Sequence, residues 1–117
     1  MGKLSTHVLD TLHGRPAGGV RVELHRVEGG EASLIVATRT NADGRTDRPL
    51  LDGDAVRRGR YRLTFHVGEY FRAQGVPLPD PPFVDVVPVD FGIAEDGGSY
   101  HVPLLCTPWT YATYRGS

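Results

Sequence analysis

Residues 20–25 read VRVELH, and this stretch indicates a half-buried β-strand. Its apolar residues, Val20, Val22 and Leu24, alternate with polar ones, so one face would pack on a core while the other meets solvent. Residues 60–67, RYRLTFHV, alternate in the same way. Two segments with this period of two favour an all-β fold.

Short runs of similar composition recur along the rest of the chain, and turn residues separate them. Glycine pairs and the stretch NADG at residues 41–44 tolerate the positive φ angles that tight turns need. Seven or eight short strands at this spacing are typical of a β-sandwich. The other predicted strands are residues 4–9, 32–39, 83–93, 100–106 and 109–114, and residues 49–51 are a candidate for an additional short one.

One segment lacks strand alternation. Residues 69–74 are followed by Gly75, a common helix stop, so we predict one short helix there. Four prolines between residues 77 and 82 predict a loop, because proline cannot donate to a strand ladder. Pro88 lies inside the next predicted strand and should place that strand at a sheet edge or introduce a bulge.

Size and composition predict a single domain over residues 1–117. The chain has 39% hydrophobic and 23% charged residues, as ordinary globular domains do. Its formal net charge is −1 with both signs mixed, so we expect neither nucleic acid nor a membrane surface as partner.

The cellular compartment is predicted from two further features. The first residues, MGKLSTHVLD, lack the apolar stretch of a secretion signal, and no run approaches the roughly 20 apolar residues of a membrane span. The single cysteine, Cys106, cannot form an intrachain disulfide, which suits a reducing compartment. We therefore expect a cytoplasmic protein.

The histidines and the cysteine give no metal-site pattern. No pair of histidines has zinc-site spacing such as HxxxH, so we expect no metal and no cofactor. His25 and His66 fall on the polar faces of alternating strands and are predicted to be solvated. His13 lies in a turn and receives no role.

His7 and His101 differ from the other histidines. Each lies on the outer face of a predicted strand beside apolar residues, Leu9 in one case and Pro103 and Leu105 in the other. Spacing alone favours a buried or interfacial histidine over a catalytic one, although neutral imidazole is the usual general base near pH 7. An apolar outer face also suggests burial by another subunit.

Arg45 directly follows the NADG turn. It is either a solvated arginine or a guanidinium that holds a planar, carbonyl-rich ligand through paired donors. The polar tail, residues 114–117, would ordinarily be frayed. The residues taken alone therefore predict a sandwich with several unexplained polar side chains.

Three blocks of the sequence resemble the 5-hydroxyisourate hydrolases of the transthyretin-like family. They are LSTHVLDTLHGRPAGGVRVEL at residues 4–24, TNADGRTDRPLL at 40–51 and YHVPLLCTPWTYATYRGS at 100–117. The closing YRGS distinguishes the hydrolase branch from the hormone carrier transthyretin. The resemblance implies a transthyretin-like sandwich of two four-stranded sheets with one short helix. It also implies a homotetramer, built as a dimer of dimers, with sites at the dimer–dimer interface.

The same resemblance implies hydrolysis of 5-hydroxyisourate to 2-oxo-4-hydroxy-4-carboxy-5-ureidoimidazoline in urate degradation. The family's catalytic positions fall on His7, Arg45, His101 and Ser117, and its substrate-binding positions on His7, Arg45 and Tyr114. His7 and His101 would transfer the protons, with the general base left unassigned. Arg45 would either stabilise the oxyanion or position the substrate.

Two other functions compete with the hydrolase. A transthyretin-like carrier would bind a hydrophobic ligand in the central channel, and Trp109 would make that channel bulky and aromatic. The family's carrier, however, lacks the site histidines and the YRGS tail. An immunoglobulin-like adhesion module would be a secreted monomer, usually with a cysteine pair, and no sequence feature supports it.

Overall fold

The computed structural model describes residues 2–117, which form two packed β-sheets. Within these residues, no helix has the length and apolar character needed to cross a bilayer. One helix, α1, spans Val67–Ala73, and a turn of 3-10 helix spans Gly53–Ala55. The strands are β1 (Lys3–Asp10), β2 (Arg15–Pro16), β3 (Arg21–Glu28), β4 (Glu31–Arg39), β5 (Leu51–Asp52), β6 (Gly59–His66), β7 (Val86–Ile93), β8 (Tyr100–Cys106) and β9 (Tyr111–Thr113).

The first sheet is built around the parallel pair β1 and β8. Its order is β2-β1-β8-β9, and β5 also pairs with β1. The second sheet has the order β4-β3-β6-β7 and is antiparallel throughout. The predicted all-β sandwich of two sheets is confirmed. The first sheet has five strands instead of four, because the two-residue strands β2 and β5 pair with opposite ends of β1.

Alternating apolar side chains of both sheets fill the space between them. Leu4 and Val8 of β1 face inward with Leu24 of β3 and Leu63 and Phe65 of β6, and all five are fully buried. Burial of one such side chain stabilises the fold by about 1.5–3 kcal/mol. The strands that carry the opposite, outward faces are therefore held by a packed core on their inner side.

Helix α1 is confirmed, but it begins two residues earlier than predicted and ends one residue earlier. Val67 and Phe71, four residues apart, are both fully buried and fasten the first turn to the core. Gly75 has φ +81°, and the main chain closes the helix with bonds from Gly75 N and Val76 N. These bonds cap the last carbonyls as a left-handed glycine does at a helix C-terminus.

Pro88 lies in β7, and β7 is an edge strand as predicted. The pairing of β6 with β7 runs without a register shift from Gly59–Ile93 to His66–Val86. The strand therefore needs no bulge. The missing N–H of Pro88 costs no ladder bond where it faces away from β6.

A buried carboxylate ties α1 to the end of β1. Asp10 accepts hydrogen bonds from His13 Nδ1 at 2.6 Å, His13 N at 2.9 Å and Tyr70 OH at 2.8 Å. Burial works to raise the pKa of Asp10, but these hydrogen bonds outweigh it and lower the pKa. Burial and Asp10 raise the pKa of Tyr70 to about 12. His13, which received no role from the sequence, is a structural partner of Asp10.

Candidate active site

The parallel pair β1–β8 carries both candidate histidines on its outward face. Ser5 is paired with His101, and His7 with Pro103, so the two imidazoles lie on neighbouring strands, two positions apart along the ladder. Side chains of a strand alternate between faces, and the inward neighbours of these residues are buried in the core. Both histidines are half-buried. Their placement is thus fixed by two central strands.

Arg45 reaches this face because its turn is fastened to β1. The Asn41 side-chain oxygen accepts hydrogen bonds from the main-chain N–H groups of Asp43 at 2.9 Å and Arg45 at 3.2 Å. Val8 N donates to Gly44 O at 2.8 Å. Gly44 has φ +76°, and a Cβ there would lie 2.3 Å from Val8 O, so glycine is required. The NADGR sequence therefore forms a rigid turn beside His7.

The ring of His7 is oriented by the same turn. Its Nε2 lies 2.9 Å from the carbonyl oxygen of Asp43. Because a carbonyl oxygen can only accept, Nε2 of His7 carries the proton and donates it. In the neutral ring, Nδ1 of His7 is then the nitrogen with a free lone pair.

His101 is held in its neutral form. Burial lowers the pKa of His101 below its usual value, and the charges of Arg45 and His7 lower it further. These two groups are therefore close enough to act electrostatically on the ring. Its Nδ1 lies 2.8 Å from Ser5 Oγ. A neutral imidazole is available to accept a proton at neutral pH.

The C-terminal tail runs along β8 beside His101. Gly116 N donates to His101 O at 2.8 Å, and these residues form an isolated bridge on the register of the β8–β9 pair. On that register Tyr114 falls opposite Pro103, on the outward face. Ser117 follows Gly116 directly. The tail is thus tied to the strand that carries His101 instead of being frayed.

The guanidinium of Arg45 is left without a partner. Among residues 2–117, no carboxylate forms an ion pair with it and no acceptor is hydrogen-bonded to it. It lines a pocket of about 220 Å³ together with Ser5, Arg48 and Asp47, and Asp47 is hydrogen-bonded to Asn41 instead of Arg45. A free cation at a pocket wall is suited to hold an oxygen atom that carries negative charge.

Cys106 is not a candidate nucleophile. It is buried, and its Sγ lies 3.6 Å from Leu9 O. Burial, with Asp10 nearby, raises the pKa of the thiol to about 12, so it stays protonated at neutral pH.

The structure brings His7, Arg45 and His101 to one face and ties the segment that contains Tyr114 and Ser117 to the same strand. His25 and His66 lie on the other sheet. The prediction that His66 is solvated is wrong, because its side chain is 14% exposed and bonded to Glu23 at 2.7 Å. His25 is half-buried.

Sequence reasoning missed one residue at the site. Ser5 contacts His101 directly, although the two are 96 residues apart in the chain. Its alternation with His7 placed it on the same face, but nothing in the sequence paired it with His101. Only the parallel register of β1 and β8 does so.

Comparison with known proteins adds a family to this geometry. The model of the HIUase/transthyretin family matches residues 4–116, nearly the whole chain. The chain belongs to this family. The matched range includes His7, Arg45, His101 and Tyr114, and it ends one residue before Ser117.

Individual members of the HIUase/transthyretin family resemble the chain closely. A 5-hydroxyisourate hydrolase of Pseudomonas aeruginosa is 55% identical over 117 residues, covering 100% of this chain and 93% of its own. A crystal structure of (S)-allantoin synthase aligns with TM-score 0.93 and 44% identity over 99% of this chain, which spans only 44% of that longer one. Transthyretin from Sparus aurata aligns with TM-score 0.86 and 29% identity, over 99% of this chain and 97% of its own. The predicted transthyretin-like fold is confirmed.

Proposed function

We propose that this chain hydrolyses 5-hydroxyisourate, opening its lactam ring to give 2-oxo-4-hydroxy-4-carboxy-5-ureidoimidazoline. The observation that carries the proposal is the convergence of two imidazoles and an unpaired guanidinium on one outward sheet face. The Pseudomonas aeruginosa relative, 55% identical over the full chain, bears the name of this activity. The reaction belongs to urate degradation.

The reaction requires a water molecule to be activated. One imidazole of the pair His7 and His101 accepts a proton as the water oxygen bonds to the lactam carbonyl carbon. The tetrahedral intermediate then breaks its C–N bond, and the leaving nitrogen takes up a proton. The ring opens to a carboxylic acid, which releases its proton to solvent to become the carboxylate, and the number of protons on the enzyme is restored. General acid–base help of this type is worth roughly 10²–10⁴-fold in rate.

Arg45 would stabilise the negative charge that develops on the carbonyl oxygen during the attack. The carbonyl oxygen becomes negative in the tetrahedral intermediate, and a fixed donor at that position stabilises it. The guanidinium has no competing carboxylate partner among residues 2–117, so its donors are available to the substrate. The same donors would hold the substrate's other carbonyl oxygens before the reaction.

Tyr114 and Ser117 complete the proposed site from the tail. Tyr114 is 59% exposed and would contact the ring of the substrate. Ser117 would orient the water or a histidine through its hydroxyl. Both assignments are supported by the Gly116–His101 bridge, which fastens the tail to β8.

We further propose that four chains assemble as a dimer of dimers that encloses the site. The outward face beside the histidines carries the apolar side chains Leu9 and Leu105, only half-buried in one chain. The edge strands β7 and β9 have ladder groups available for a second copy. Light scattering should give four times the 12.8 kDa of one chain. A mass of one chain would contradict the assembly.

The cytoplasm is the compartment we propose. This proposal is supported by Cys106, which is buried as a free thiol and fits a reducing environment. Fractionation of the producing cells, with immunodetection of the chain, tests this directly.

A transthyretin-like carrier is the second candidate function. It is favoured by the likeness to Sparus aurata transthyretin and by Trp109, which is 56% exposed in the turn between β8 and β9. Two half-buried imidazoles and a guanidinium are, however, costly surroundings for a hydrophobic ligand. A fluorescence titration with thyroxine should therefore show no saturable binding in the micromolar range.

The decisive experiment follows the loss of 5-hydroxyisourate absorbance against its spontaneous decay. The purified protein should accelerate the decay, and His101→Ala should abolish most of the acceleration. His25→Ala, which removes an imidazole from the other sheet, is the matched control and should keep the full rate. An inactive wild-type protein, or an active His101→Ala variant, would contradict the proposal.

A further inference from the structure

Ser5 is the residue that holds the ring of His101. Its Oγ lies 2.8 Å from Nδ1, and among residues 2–117 no other group is hydrogen-bonded to the ring nitrogens. The two residues are paired across the parallel β1–β8 ladder. The contact is therefore set by two central strands and does not depend on a mobile loop.

Gly116 fixes the ring from a second direction. A Cβ at position 116 would lie 2.5 Å from Cδ2 of His101 and 3.2 Å from Cγ, so the main chain of the tail packs against this edge. With Nδ1 engaged by Ser5 and Cδ2 covered by Gly116, rotation of the ring is hindered. Nε2 is then the ring nitrogen without a protein hydrogen bond among residues 2–117.

The direction of the Ser5 hydrogen bond decides the tautomer of His101. A serine hydroxyl can donate or accept, so the 2.8 Å distance alone allows both. Nε2 has no protein hydrogen bond among residues 2–117, so it is the ring nitrogen that is open to a water molecule. A neutral ring that accepts a proton at Nε2 carries its own proton on Nδ1, and that N–H then donates to Ser5 Oγ.

The two imidazoles of the site are consequently not equivalent. His7 donates from Nε2 to the Asp43 carbonyl, so its free lone pair is on Nδ1. His101 has its free lone pair on Nε2, and burial together with Arg45 and His7 keeps the ring neutral. His101 is thus the ring prepared to accept a proton.

We propose that Ser5 is a positioning residue that holds His101 in the Nδ1–H tautomer, so that Nε2 takes the proton from the attacking water. The inference rests on the proposed hydrolysis. When the water oxygen bonds to the carbonyl carbon, Nε2 gains the proton, and Ser5 keeps its bond to Nδ1–H of the imidazolium. When the C–N bond breaks, Nε2 returns the proton to the leaving nitrogen. A hydrogen-bond partner at one ring nitrogen fixes the tautomer and orientation of a catalytic histidine and leaves the other nitrogen free to react.

The tautomer can be measured without substrate. Two-bond ¹H–¹⁵N correlation spectra of the ¹⁵N-labelled protein distinguish a protonated Nδ1 from a protonated Nε2, and His101→Gln assigns the signal. We expect the Nδ1–H tautomer of His101 at neutral pH in the wild-type protein. An Nε2–H tautomer in a wild-type protein that hydrolyses the substrate would overturn the Ser5 proposal alone.

Kinetics of Ser5 variants give the second test. Ser5→Ala should lower kcat roughly 10- to 100-fold, the range typical of losing a group that orients a functional histidine, with little change in KM. The acid limb of kcat/KM should move to lower pH, because the imidazolium loses an acceptor. Ser5→Thr keeps a hydroxyl and should restore both values. Ser33→Ala, an exposed serine on β4, is the matched control and should match the wild type.

The outcomes separate the two proposals. A wild-type protein without hydrolysis above spontaneous decay would contradict the proposed function, whatever the tautomer. A folded Ser5→Ala variant with unchanged kcat and an unchanged acid limb would overturn the role of Ser5 while leaving the hydrolase intact. If Ser5→Ala does not fold, the tautomer of His101 in the wild-type protein still tests the role of Ser5.

Discussion

The outward faces of the two sheets contain similar residue types but treat their charges differently. On the second sheet, His66 bonds to Glu23 at 2.7 Å, and Arg62 forms two bonds with Asp90 at 2.6 and 3.1 Å. On the first sheet, the guanidinium of Arg45 and the ring of His101 have no carboxylate partner among residues 2–117. His66 and Arg62 on one face are bonded to carboxylates, whereas Arg45 and His101 on the other are available to a ligand.

The pKa values of Glu23 and His101 reflect this difference between the two faces. The hydrogen bond from His66 lowers the pKa of Glu23, which is the effect of a paired site. On the first sheet, burial lowers the pKa of His101, and the neighbouring Arg45 and His7 lower it further, so its neutral form persists. A neighbouring guanidinium disfavours the charged ring, and His101 is a base instead of a member of an ion pair. Histidine content therefore does not identify the site, whereas a half-buried imidazole with a lowered pKa beside an unpaired guanidinium does.

The largest effect is expected from removing the free cation. Arg45→Gln should lower kcat/KM by roughly 10²–10³-fold, because the developing oxyanion loses a preorganised donor. Arg62→Gln is the control on the second sheet, where the guanidinium is already occupied by Asp90. It should leave the rate unchanged in the absorbance assay. An equal loss of kcat/KM in Arg45→Gln and Arg62→Gln would contradict the difference between the two faces.

Crowding the ring of His101 should have the next largest effect. Gly116→Ala places a methyl group 2.5 Å from Cδ2 of the ring and must displace it. Misplacement of a catalytic group by about 1 Å can cost 10²-fold, so we expect kcat to fall by up to roughly that factor. Gly92→Ala on β7 meets nothing within 4 Å and is the control. Full activity of a folded Gly116→Ala variant would show that the ring position is not critical.

The pH dependence of the rate should report the effect of Arg45 on His101. The base is active when neutral, and its pKa is lowered from 6.5, so kcat/KM should stay high until the pH falls below that value. Burial is the leading cause and Arg45 the second, so Arg45→Gln should raise the pKa and move the acid limb to higher pH. Stopped assays between pH 4.5 and 8 on both proteins measure the shift. A limb that moves the other way would exclude Arg45 as a neighbour of the base.

The smallest effect is expected on the paired face, and it concerns stability. Glu23→Ala should lower the free energy of unfolding by about 1 kcal/mol through the lost hydrogen bond to His66, with no change in rate. The pKa of Glu23 is lowered from 4.5, so its contribution is present above that value and is lost as pH falls through the lowered pKa. Urea unfolding at pH 7 and pH 3 should show a smaller difference between variant and wild type at pH 3 than at pH 7. A lower hydrolysis rate in Glu23→Ala would contradict the contrast, because it would show that the paired face of the second sheet affects the site on the first.

Much of the fold could be predicted from local patterns. Alternation gave the main strands, and Gly75 marked the end of α1 to within a residue, since glycine accepts its φ of +81°. The start of α1 at Val67 was missed because that residue continues the apolar alternation of β6. The two-residue strand β2 was also missed, since two residues show no period. Its pairing with Leu9 and Asp10 exists only because β1 lies beside it.

By itself the sequence determined the sandwich, its single helix and its resemblance to the hydrolase family, because alternation, turn residues and block order are local properties of the chain. Which polar groups are paired was decided only by the tertiary structure. The parallel register of β1 and β8 places Ser5 against His101 across 96 residues of chain, and the Asn41 turn brings Arg45 to the same face. Hydrogen bonds and pKa values depend on distances in space, and those are set by packing the two sheets together.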